Sequence, residues 1–100
     1  MTDEIALQRA AAKAARAQAL LEDELLAEAF TSLESAYTTA WRSTTIEDVT
    51  GREKLFLAIN VVGKVRDHLT VIVNNGKLAA AELRQIAETA ERAKRWQDVR

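Results

Sequence analysis

His68 is the chain's single histidine, and there is no cysteine. A zinc site or a catalytic dyad needs further nitrogen or sulfur groups beside the first, and none is available here. Paired carboxylates stand at Asp23 with Glu24 and at Glu47 with Asp48. Sequence neighbours on a helix point in different directions, so these pairs suit helix caps or solvated charge better than acid–base work. Gly63-Lys64 lacks the earlier glycine of a phosphate loop and sits within a helical pattern. The expectation is no catalytic residue, no metal, no cofactor, and a protein that is not an enzyme.

Cations offer a different chemistry. Arg9, Lys13 and Arg16 recur at steps of four and three, which lays them on one stripe of an alanine-rich helix. Such a stripe can neutralise the phosphates of a duplex. A second cluster, Arg92, Lys94, Arg95 and Arg100, surrounds Trp96, and an aromatic among cations can stack on a base. Both sets also have plain structural uses. An alanine helix needs charge on its wet face, and a helix C-terminus favours cations through its dipole. Charge is unevenly placed, with Glu22, Asp23, Glu24, Glu28, Glu34, Glu47 and Asp48 opposed by Arg42 alone between residues 21 and 50. An acidic middle and more basic ends allow neutralisation between copies.

The elements that must carry these groups are helices. The 100 residues contain no proline and three glycines, and 48% are apolar with few aromatics. Alanine makes helix easy and a thick core hard. Thr2 suits an N-cap, and nothing stops a helix from there to about Ser43. At ~1.5 Å per residue it would be roughly 60 Å long if straight. Asp23 can cap a separate second helix, which leaves either a straight helix or one bent near Glu22–Glu24. Leu26, Phe30, Leu33, Tyr37 and Trp41 recur at steps of four, three, four and four, forming an apolar stripe for a core or an interface.

Residues 44–50 read as a linker, and Thr50-Gly51-Arg52-Glu53 as a capping box. The helix that follows turns Leu55, Ile59, Val62, Leu69 and Ile72 inward, with Phe56 and Val65 on its flanks. Asn74-Asn75-Gly76 then predicts a C-cap and a tight reversal. In the last helix Ala79, Leu83, Ile86, Ala90 and Ala93 follow a coiled-coil spacing. The expected fold is all-α, with a long N-terminal helix over 1–43, the linker, and an antiparallel helical hairpin over 51–100, forming a single domain. Neither a secretory signal nor a membrane span is expected, and the expected location is the cytoplasm.

The run Leu20–Phe30, Trp41-Arg42, the segment Gly51–Leu69 and Asn75-Gly-Lys-Leu78 resemble small helical proteins of tailed phages and prophages. The likeness covers roughly residues 20 to 83 and extends in size and helical style to small terminase subunits. It implies a non-enzymatic accessory protein that oligomerises through its helices and serves genome packaging or virion assembly. The implied partners are copies of itself, double-stranded DNA, and a large packaging subunit or another virion protein. The location implied is the host cytoplasm or the virion. The first 19 residues lie outside the likeness; if the chain contacts DNA, the spacing of the cations points first to Arg9, Lys13 and Arg16 and second to Arg92, Lys94 and Arg95. Leu26, Phe30, Leu33, Tyr37, Trp41, Leu83 and Ile86 would hold the core or the assembly. The alternative is a protein-binding helical adaptor or small regulator that never touches nucleic acid.

Overall fold

The computed structural model describes residues 3–98, and the protein is all-helical. α1 spans Glu4–Glu22, α2 spans Glu24–Arg42, and α3 spans Val49–Asp98.

Each helix start is set by an aspartate. Asp3 accepts a hydrogen bond at Oδ1 from the Ile5 amide at 3.0 Å and opens α1. The Thr2 cap predicted from sequence lies outside the described residues. Asp23 stands alone between α1 and α2 with extended backbone (φ −66°, ψ 120°), and its Oδ1 accepts from the Leu26 amide at 2.8 Å. The bend allowed near residues 22–24 is therefore a full helix break, one residue long. Asp48 opens α3 by accepting from the Gly51 amide at 3.0 Å. This start lies two residues ahead of the predicted Thr50 capping box. An ionised carboxylate at a helix N-terminus gains from the dipole as well as the hydrogen bond, whereas a threonine hydroxyl gains only the latter.

The predicted reversal at Asn74-Asn75-Gly76 does not occur. All three residues lie inside α3, which continues for 50 residues. No glycine among the described residues takes a positive φ, so Gly76 does not act as a left-handed cap. The chain turns back instead over residues 43–48. There the Thr44 hydroxyl donates to the Trp41 carbonyl at 2.6 Å and the Ser43 hydroxyl to the Thr39 carbonyl at 3.0 Å.

The chain divides into two compact units. One comprises residues 1–17 and 71–100, and it holds every buried apolar side chain among the described residues: Ala14, Ala17, Val73 and Ala79. Gly76 is buried with them. A Cβ built on Gly76 would overlap the Ala14 side chain and stand 3.0 Å from the Ala10 carbonyl oxygen. The α1–α3 contact in this unit is thus a close backbone approach through small residues. Gly76 serves it by having no side chain.

The other unit is residues 18–70. Here α2 and the first part of α3 lie antiparallel. Arg52 stacks over the Trp41 ring at 4.7 Å, and Arg66 over the Phe30 ring at 5.1 Å. Moving forward along α3 therefore moves backward along α2. Leu26, Phe30, Tyr37 and Trp41 are half-buried on this contact, as are Leu55, Ile59, Val62 and Leu69 from α3. No residue of α2 is fully buried.

Candidate functional site

Among the described residues no polar or charged side chain is buried, and no group of three metal-ligating side chains converges.

The α1 row is clean. Arg9, Lys13 and Arg16 are all exposed, with Ile5 (60% exposed) in line before them and Leu20 (48%) after. No carboxylate occurs in the sequence from Ile5 to Leu21, so the row presents positive charge and apolar side chains only. The C-terminal set is mixed. Arg92 and Arg95 border a shallow open depression together with Ala87, Glu88 and Glu91, so acids interleave with the bases. Lys94 is exposed, as is Trp96 at 76%; Arg100 lies outside the described residues. His68 is exposed beside Val61, Lys64, Val65 and Leu69 on an open, mostly apolar stretch of α3.

The apolar stripe of α2 divides. Leu26, Phe30, Tyr37 and Trp41 face α3, whereas Leu33 is 44% exposed, and the half-buried position beside it belongs to Glu34. Glu34 pairs with Arg66 at 3.2 Å, and the same guanidinium covers Phe30. Leu25, at 75% exposed, and Ala29 lie two helical turns and one helical turn before Leu33, giving an outward row at steps of four. Glu24 and Glu28, both exposed, run alongside it. In the last part of α3, Leu83 and Ile86 are half-buried, and Ala90 and Ala93 are exposed.

No protein-family model, curated protein or solved structure matches the chain. Its surfaces have to speak for themselves.

The two arginines that hold the 18–70 unit escaped the sequence reading. Arg52 and Arg66 are 14 residues apart, two heptads, and so repeat on one helix face. That spacing beside the inward row Leu55, Ile59 and Val62 was the available signal. The carboxylate pairs resolve as the sequence suggested, since Asp23 and Asp48 both act as helix caps.

Exposed large apolar side chains occur on all three helices, including Ile5, Leu25, Phe56, Leu57, Val61, Val71 and Leu78. Among the described residues no helix is long and apolar enough to cross a membrane.

Proposed function

We propose that this protein is a non-catalytic helical subunit that assembles with copies of itself, in the setting of phage genome packaging or virion assembly. The observation that carries self-assembly is the set of large apolar side chains left exposed on all three helices, together with a core whose largest buried residue is a valine. Alanine methyls bury little surface, at roughly 0.8 kcal/mol each, so covering the exposed leucines, valines and Phe56 would add stabilisation that this chain cannot obtain internally. The phage setting rests on the resemblance of residues 20 to 83 and on the helical style that accompanies it.

In the packaging role, contact with duplex DNA would fall first to Arg9, Lys13 and Arg16 and second to Arg92, Lys94 and Arg95. All six are exposed. The chain's net charge of −1 makes it a poor general polyanion binder, which favours the assembly side of the reading.

Absolute mass in solution tests the proposal, by light scattering on a sizing column at low and high salt over a range of concentrations. A defined multimer of the 11.1 kDa chain is the expected result. A monomer at every concentration would overturn it, and the adaptor reading would take its place, with the exposed apolar rows serving a different protein.

A further inference from the structure

Resting on that self-assembly reading, we infer that the outward face of α2 in one copy is covered by the basic face of α1 from a second copy.

The α2 face is apolar and unpartnered. Leu25, Ala29 and Leu33 follow one another at steps of four, with Leu25 75% and Leu33 44% exposed. Glu24 and Glu28 border this row, also four residues apart, and α2 carries no cation before Arg42. The neighbouring acids are already engaged: Asp23 caps α2, and Glu22 accepts from the Gln18 amide group at 2.7 Å.

The α1 face offers the complement. Ile5, Arg9 and Lys13 follow at steps of four, Arg16 and Leu20 extend the row, and no anion interrupts it. Each face therefore combines an apolar strip with charge of a single sign, repeating at one helical turn. The same opposition holds at the scale of whole units. Residues 1–17 and 71–100 carry nine Lys/Arg against six Asp/Glu, whereas residues 18–70 carry five against nine. The first unit is +3 and the second −4, and two copies cancel most charge when unlike units meet. Contacts between like units would place net charge of one sign on both sides.

A copy is a better occupant of the α1 face than a duplex, because the chain itself supplies the anions. A further consequence is that every copy carries both halves of the contact. The contact either closes a pair reciprocally or continues from copy to copy into a ring or filament.

The experiment compares the full-length protein with R9E/K13E, with E24K/E28K, and with an equimolar mixture of the two variants. Mass is followed against concentration and salt, and helical content is checked by circular dichroism. The expected result is at least a tenfold weaker association for each variant alone, with multimers restored in the mixture. Restoration also shows that neither variant has lost its fold. Association of the unaltered chain should weaken between 50 and ~300 mM salt, where screening shortens to several ångströms. If the unaltered chain forms multimers and both variants match it, the contact lies elsewhere, and this inference falls while self-assembly stands. If R9E/K13E keeps its mass but loses binding to a duplex oligonucleotide, the α1 row belongs to nucleic acid and the inference is equally overturned. A monomeric unaltered chain would remove the self-assembly reading itself.

Discussion

Gly76 of α3 lies so close to Ala14 of α1 that a Cβ on the glycine would overlap the alanine's methyl group and meet the Ala10 carbonyl oxygen at 3.0 Å. Gly63, on the same helix, has nothing within 4 Å of its Cβ position. Alanine substitutions at the two sites should therefore have opposite signs. Gly63→Ala should stabilise by about 0.5–1 kcal/mol through helix propensity alone. Gly76→Ala should destabilise by about 1–3 kcal/mol, because two backbones must move apart. Urea midpoints measured at one protein concentration check both.

The aspartate caps supply a second prediction. Asp23→Ala and Asp48→Ala should each cost about 1 kcal/mol, and Asp→Asn at either site distinctly less, since asparagine still accepts the amide hydrogen bond. The slope of the denaturation curve should stay unchanged, which separates a lost cap from a collapse of the helix it starts.

Arg66 makes two contacts, and a double-mutant cycle separates them. Its ion pair with Glu34 is about a third exposed on each side, so Glu34→Ala should cost only ~0.2–1 kcal/mol and less at high salt. Arg66→Ala also removes the guanidinium from Phe30 and the packing of its stem, which adds about 0.5–1 kcal/mol. Equal costs for the two substitutions would assign no value to the stacking.

The two tryptophans report on different surroundings. Trp96 is 76% exposed, whereas Trp41 is half-buried under Arg52 at 4.7 Å. In Trp41→Phe the remaining emission should resemble that of free tryptophan and be quenched readily by acrylamide. In Trp96→Phe it should be bluer and better protected. Protection of Trp96 that grows with protein concentration would place it in a contact between copies.

Much of the fold could be read from the residues. Alanine abundance and absent proline gave helices, Asp23 marked the break, and Thr44-Thr45 lay within the connection. The step-of-four rows identified the inward sides of α2 and α3. Gly76 misled for a physical reason. After two asparagines, glycine has the form of a helix terminator, yet glycine also stands where another backbone approaches, and only the position of Ala14 distinguishes the two uses. The surface rows were visible as spacing, since Arg9, Lys13 and Arg16 needed no coordinates to be found. What spacing could not say was that α3 would cover position 34 of α2 rather than position 33. A rotation of that contact by one residue exchanges Leu33 for Glu34, and that exchange leaves Leu33 available to a neighbour.

The two joints on either side of α2 differ in their slack. Asp23 is a single non-helical residue that must cap the next helix, so a residue added there would swing the aspartate out of position. Residues 43–48 form an open connection in which Ile46 is 84% exposed, and lengthening such a loop costs only about 0.6 kcal/mol per doubling. A fluorophore, an affinity tag or a cleavage sequence spliced beside Ile46 should leave the helices as they are. The same insertion within α2 between Phe30 and Trp41 would shift each added residue by ~100° and 1.5 Å, and Arg52 and Arg66 could no longer find both rings at once. This gives the molecule one natural point of attachment for a probe, on the turn between α2 and α3.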